Sequence, residues 1–341
     1  MPRAGIRRTT LANCWRGAPP DRRSDLPARA GTHGIHCSIA VQFVHVMPPK
    51  PCNSWLQWHN MYMPRALGPK ALSLLERWEA EGTRVVSITE VRGRLGSAVS
   101  PKAATEMVRR LRNAGFLKRV GRGLYAVQPV AWMGEGAPDV AVVLAAVSKR
   151  GARFFVGFDT AAGHYGWHPE TYGVVTIGVP RGDRVRAIPT EGTYIRTVIV
   201  DAATFDEGVA SIRWRQVVLP FADRNRTVVD AAAKVDVIGG YSELLRLLAR
   251  AARDPKVNQM AVAKLCAHRR SVRLQKRLGF LCERAGWAWS EPAAALLQAD
   301  WPSAHRAVLD STRPRRGHWD ARWGLLVNVP DALLQVEAGV R

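Results

Sequence analysis

The 341-residue sequence predicts an α+β protein in which a small module of helices and a hairpin precedes a larger mixed α/β and helical region. Three observations lead there. Between residues 70 and 129, helical periodicity is interrupted once by a strand-like run and closed by a glycine-centred hairpin. Between 139 and 220, apolar or alternating runs of strand character surround one short helical stretch. From about Arg226 the chain turns helical, before one last strand-like run near its end.

Residues 1–63 come first and differ from the rest. "RGAPPDRRSDLPARAGTHG" and "MPPKPC" have neither helical nor strand period, and the segment holds eight cations against two acids. They read either as a disordered basic tail or as upstream sequence, with the true start at Met61 or Met63. "SIAVQFVHVM" (38–47) is too short and too interrupted to span a membrane. With no span and no secretory signal, the protein is expected in the cytoplasm. Five cysteines at 14, 37, 52, 266 and 282 include no CxxC pair, which suits reduced thiols. Cys266 and Cys282 fall in helical patterns and are expected in the core.

"KALSLLERWEAEG" sets Leu72, Leu75 and Trp78 on one helical face. "RVVSI" follows as a strand, and "TEVRGRLG" as a second helix with Thr89 as its expected cap. Ser100-Pro101 opens a third helix, with Ser as cap and Pro in the first turn, and Gly115 stops it. "FLKRV" and "LYAVQ" then pair around Gly121-Arg122-Gly123. Helix, strand, helix, helix, hairpin is the order of a winged helix-turn-helix, here at 70–129. In the region 130–341, "VAVVLAAV", "FFVGF", "GVVTIGVP" and "YIRTVIV" read as strands and "DTAAGHYG" as a short helix. "YSELLRLLARAARD", "DPKVNQMAVAKLCAHRR", "SVRLQKRLGFLCERAG" and "EPAAALLQA" read as capped helices, the second starting at Asp254-Pro255. "WGLLVNVP" is a final strand.

Charge narrows the function. Fifty Lys+Arg against twenty-eight Asp+Glu give a net +22 and a pI near 10.9. Such a field favours polyanions. Forty-one of the fifty cations are Arg, a bias that a GC-rich genome also produces, so the placement of charge carries more weight than its sum. On the helix beginning at Pro101, Ala104, Met107, Val108 and Leu111 share one face. Opposite lie Lys102, Glu106, Arg109 and Asn113, flanked by Thr105, Arg110 and Arg112. Forked and small polar donors on such a stripe suit a major groove: Arg109 matches guanine, Asn113 adenine, and Glu106 accepts from cytosine. Arg110, Lys118, Arg119 and Arg122 are placed for phosphates, with Arg122 at the hairpin tip.

"TEMVRRLRNAGFLKRVGRGLYAV" resembles the N-terminal winged helix of AbiEi-type antitoxins, with the hairpin reading Arg122-Gly123-Leu124-Tyr125. "FFVGFDTAAGHYGWHPE", "DRNRTVVDAAAKVDVIGGYSELLRLLARAA" and "RLQKRLGFLCERAG" are similar to later parts of that family, so the resemblance spans roughly residues 70–330. It implies the antitoxin of a type IV toxin–antitoxin pair. Such a protein binds double-stranded operator repeats, represses its own operon and neutralises a nucleotidyltransferase-like toxin encoded beside it. The alternative is a stand-alone winged-helix regulator with a ligand- or partner-sensing second domain.

Catalytic chemistry is not expected. A nucleotidyltransferase needs Gly-Ser followed by Asp-x-Asp; Gly96-Ser97 is present, but the chain contains no Asp-x-Asp. A nuclease set built on Pro138-Asp139 and Asp254-Pro255-Lys256 fails because Pro255 spoils the strand that must present the second carboxylate. His164 and His168 stand four apart in "HYGWH" and read as a structural pair rather than metal ligands. No cofactor or metal is expected. In "DRNRT", Thr227 or Asn225 is the expected helix cap and Asp223 pairs locally with Arg226; contact with a toxin is the other reading. Arg269, Arg270, Arg273, Lys276 and Arg277 are expected on a solvated helix face.

Overall fold

The computed structural model describes residues 67–96, 98–129, 137–169, 173–185, 192–299, 301 and 306–335. The expectations for the 1–63 segment and for Ser97 lie outside them. The chain is α+β.

Helix α1 (Pro69–Ala80) buries Ala71, Leu74, Leu75 and Trp78, while Leu72 is only half-buried at the edge of that face. β1 (Val85–Ser87) leads directly into α2 (Ile88–Leu95). The cap is Ser87, two residues before the expected Thr89. The Glu90 amide donates to Ser87 Oγ at 3.1 Å, and the Ser87 amide donates to Glu90 Oε2 at 2.7 Å. The sequence signal was Ser-x-x-Glu, read one turn boundary too late. Desolvation opposes ionisation of Glu90, yet bonds from Lys149 and Ser87 hold its carboxyl below the usual range. Ser87→Ala should lower stability by about 1 kcal/mol; an unchanged midpoint in urea unfolding would show that Glu90 holds the turn alone.

α3 (Pro101–Asn113) begins as expected, with the Ala103 amide donating to Ser100 Oγ at 3.2 Å. It stops at Gly115, whose φ is +82°. β2 (Leu117–Gly121) and β3 (Leu124–Val127) form the hairpin, and β1 pairs with β3, giving the antiparallel order β1-β3-β2.

This small sheet is buried on both faces. Val86, Tyr125 and Val127 pack with α1, α2 and α3, whereas Val85, Leu124 and Ala126 join the larger core. What covers the second face is α4 (Val140–Lys149). The run "VAVVLAAV" is therefore a helix, not the expected strand. It is apolar almost all round because it lies between the small sheet and the large one. A helix buried on every side loses the polar face that would mark its period. Asp139 begins it by accepting from the Ala141 amide at 2.7 Å.

The larger core is built on a five-stranded sheet in the order β6-β5-β4-β8-β7. Its strands are β4 (Phe155–Val156), β5 (Val174–Pro180), β6 (Tyr194–Val200), β7 (Val209–Trp214) and β8 (Val217–Ala222). β7 and β8 turn on Arg215 and Gln216, both with positive φ, a tight turn without the usual Asn-Gly signature. Short α5 (Phe158–His164) packs beside this sheet. The helical part comprises α6 (Arg224–Ala233), α7 (Val235–Ile238), α8 (Tyr241–Ala251), α9 (Gln259–His268), α10 (Val272–Arg284) and α11 (Glu291–Gln298). A small sheet, β10-β11-β9, follows, formed by β9 (Ala307–Val308), β10 (His318–Asp320) and β11 (Leu325–Val327), and a 3-10 turn at Asp331–Leu334 ends the described chain.

Two expected helix starts move. α9 begins at Gln259 with Asn258 as cap, not at Asp254-Pro255; the Asp254 carboxylate is taken by Arg224 Nε and the Lys256 amide, both at 2.9 Å. α6 is capped by Asp223, which accepts from the Arg226 amide at 2.7 Å, rather than by Asn225 or Thr227. The Thr227 hydroxyl donates to the Asp223 carbonyl, and Asn225 Oδ1 accepts from the Asn258 amide.

Arg226 does not pair locally with Asp223 through its side chain. It is fully buried, with Nε donating to Asp230 Oδ2 at 3.0 Å and Nη1 to the carbonyls of Phe205 and Glu207. Its guanidinium stacks on the Phe155 ring at 3.9 Å. Arg269 Nη2 reaches the other oxygen of Asp230 at 2.8 Å. The expected solvated face at 269–277 is mostly absorbed inward in the same way. Lys276 is buried against Gly324 and Trp301, and Arg277 spans the carbonyls of Leu309 and Ala232. Among those five cations Arg270 is the exposed one.

Candidate functional site

The cationic stripe on α3 faces solvent. Lys102, Thr105, Arg109, Arg110, Arg112 and Asn113 are exposed, and Ala104, Val108 and Leu111 are buried beneath them. The helix takes this position because its apolar stripe docks on α1 and α2, which forces the opposite side outward.

Within the stripe the side chains are not independent. Arg109 grips Glu106 through two hydrogen bonds, Nε to Oε2 and Nη2 to Oε1, each 2.8 Å. Arg110 Nε reaches Glu106 Oε1 at 3.4 Å. Bonds from Arg109, chiefly, bring the Glu106 carboxyl down to about 2, so it stays ionised. The Arg109 side chain nevertheless remains 63% exposed and able to exchange partners. The Thr105 hydroxyl donates to the Pro101 carbonyl at 2.9 Å. Glu106 and Arg109, expected to read separate bases, are thus one preformed unit in the free chain.

The hairpin carries the rest. Arg119 is exposed and its Nε donates to the Gly121 carbonyl at 3.3 Å, bracing the turn. Lys118 is half-buried. Arg122 projects from the tip, where Gly123 has φ +70°, a conformation that side-chain-bearing residues seldom adopt. The Ile88 amide donates to the Gly123 carbonyl at 3.4 Å, tying the tip to the start of α2.

One cation escaped the sequence reading. Arg150, just past α4, lays its guanidinium over Gly121, with Nη1 3.0 Å from where a side-chain carbon at 121 would stand. A second residue from this helix end, Lys149, bonds Glu90 and the Val85 carbonyl. No local signal links 150 to 121; only the packing of α4 on the small sheet joins them. Forked cationic donors are thus exposed on α3 and at the hairpin tip, and Arg150 adds another beside Gly121 from the α4 side of the small sheet, chemistry that suits phosphates and base edges.

The histidines and cysteines are engaged elsewhere. The His164 ring packs on Phe221 at 5.0 Å, and His168 meets the Pro169 and Ile238 carbonyls. Among the described residues no group of three His, Cys, Asp or Glu could hold a metal. Cys266 and Cys282 are buried, and desolvation pushes the Cys266 thiol up to about 12. No described helix is long and apolar enough to cross a membrane.

No family model matches the chain, and no curated protein does. A solved structure, the crystal structure of the RV2827C protein from Mycobacterium tuberculosis, is similar with a TM-score of 0.56. The two share 20% identity, over 80% of this chain and 96% of that one. At that identity the likeness bears on the fold alone.

Proposed function

We propose that the chain is a DNA-binding antitoxin of the AbiEi type, acting in the cytoplasm as a binding protein rather than an enzyme. Residues 70–129 form its winged helix-turn-helix and grip repeats in its own operator. The region 130–341 serves neutralisation of a nucleotidyltransferase-like toxin. The observation that supports the DNA reading is the exposed cationic stripe on α3, with Arg122 exposed at the tip of the hairpin that follows it. In this reading α3 enters the major groove, and Arg109 leaves Glu106 for guanine while Asn113 reads adenine. Lys102, Arg110, Lys118, Arg119 and Arg122 serve phosphates, with Thr105 and Glu106 at base edges.

Arg109→Ala is expected to weaken operator binding about tenfold to a hundredfold and to blunt base preference. Removing a phosphate contact such as Arg122 should weaken all sequences alike and lower the salt slope by about one. Fluorescence anisotropy on operator and scrambled duplexes across a salt series reads both. Operator binding by a fragment from residue 130 onward, as tight as that of the whole chain, would refute the assignment.

A second reading is a stand-alone regulator that senses a ligand, and a cleft beside α7 and α8 lined by Lys234, Arg273, Arg277 and Arg313 favours it. The adjacent open reading frame separates the two. A neighbour with Gly-Ser and Asp-x-Asp supports the antitoxin, and its absence supports the regulator.

A further inference from the structure

A cleft of about 780 Å³ opens far along the chain from the cationic face of α3. Its walls come from α7, the Gly239-Gly240 turn, the first turns of α8 and α10, and the loop at 310–313. That volume falls in the range of small-molecule sites, about 300–1,000 Å³. Four cations line it, Lys234, Arg273, Arg277 and Arg313, against two acids, Asp236 and Asp310, a balance of 4 − 2 = +2.

These groups are not equivalent. Arg277 is spent on the Leu309 carbonyl, to which Nη2 donates at 2.7 Å. Asp310 is spent too, accepting from the Thr312 hydroxyl at 2.7 Å, the Thr312 amide at 2.9 Å and Arg313 Nε at 3.3 Å. Arg273 is the exception. Its Nε is shut off from solvent and meets no acceptor among the described residues. A desolvated donor on a charged group is costly to leave unmet, more so than a neutral one. Arg273, which lines the cleft, thus has one donor nitrogen without an acceptor among the described residues, and an anion in the cleft would meet the charge of its guanidinium.

The backbone adds to this. Gly239 and Gly240 have φ +98° and +101°, the second in a region only glycine occupies comfortably, so the turn entering α8 carries no side chains. The eleven-residue α8 starts there with no side-chain cap, leaving its first amides free for an anion. Val235, Leu274 and Leu333 give the same cleft an apolar wall.

We propose that this cleft binds the phosphate end of a small phosphorylated molecule, with Arg273 as the principal contact and Lys234 at the rim. The site is separate from the α3 face, and the inference goes beyond the DNA-binding reading.

The test is thermal unfolding of the full chain in rising inorganic pyrophosphate at constant ionic strength. A ligand that binds the folded state raises Tm along a saturable curve. Arg273→Met should raise the apparent Kd at least about tenfold, the loss expected for a charged hydrogen bond. Its unliganded Tm should equal or exceed that of the parent, because Arg273 Nε meets no acceptor among the described residues and its like-charged neighbour Arg277 is relieved. Lys234→Gln, an exposed change that leaves the fold alone, should weaken binding more mildly. The Arg109→Ala/Arg122→Ala variant should respond like the parent, which keeps failure here apart from failure of the DNA reading. The proposal is overturned if pyrophosphate gives no saturable rise. It is equally overturned if Arg273→Met and the parent respond alike, the behaviour of a basic chain attracting any anion.

Discussion

Asp230→Ala is expected to cost about 3–5 kcal/mol of folding stability. Asp230 is buried and serves two arginines, Arg226 at 3.0 Å and Arg269 at 2.8 Å. Removing it leaves Arg226, itself fully buried, with carbonyl partners and only the weaker attraction of Asp223 as counter-charge. Desolvation, the largest influence on Arg226, already pulls its pKa down. The double change Asp230→Leu with Arg226→Met should be milder than Asp230→Ala alone, since an apolar pair of similar volume removes both the charge and the need for it. Urea unfolding of the three proteins decides this. A loss under about 1 kcal/mol for Asp230→Ala would mean that water reaches Arg226 and screens it. The network has an architectural role, because Arg226 bonds link α6 to the turn at 204–207 while Asp230 ties α6 to Arg269 after α9.

The second large effect concerns division of labour. Arg109→Ala with Arg122→Ala should abolish operator binding and leave protection from a co-encoded toxin intact when both proteins are expressed from unrelated promoters. Leu244→Asp should do the reverse of sparing protection. Leu244 is wholly buried on α8, and an uncompensated carboxylate there costs several kcal/mol. Growth rescue on co-expression reads both variants. Loss of protection in a folded, abundant Arg109/Arg122 variant would place both functions on one surface and end the proposed separation.

Sequence alone determined what local chemistry controls. Ser100-Pro101 starts α3, Gly115 ends it, and Gly123 lets the hairpin turn, because capping and positive φ depend on a few adjacent residues. The apolar stripe at Ala104, Val108 and Leu111 placed Lys102, Arg109 and Asn113 outward, since helical period is a local property. The final strand at Leu325–Val327 was legible for the same reason.

Tertiary structure decided whatever depends on neighbours distant in the chain. "VAVVLAAV" became a helix because two sheets bury it from both sides, erasing the period that would have announced it. Arg226 and Lys276, charged by letter, went inside because Asp230, main-chain carbonyls and an indole face met them there. Arg109 and Glu106 lie one turn apart, where a pair is sterically available, but only the folded helix surface shows them joined. Arg150 reached Gly121, and Arg273 came to line a cleft with its Nε unmet among the described residues, through packing between segments that no sequence spacing connects. Charge count is a property of the sequence; whether a charge is offered to a partner or consumed by the fold is settled by which carbonyls and carboxylates the chain brings within hydrogen-bond reach.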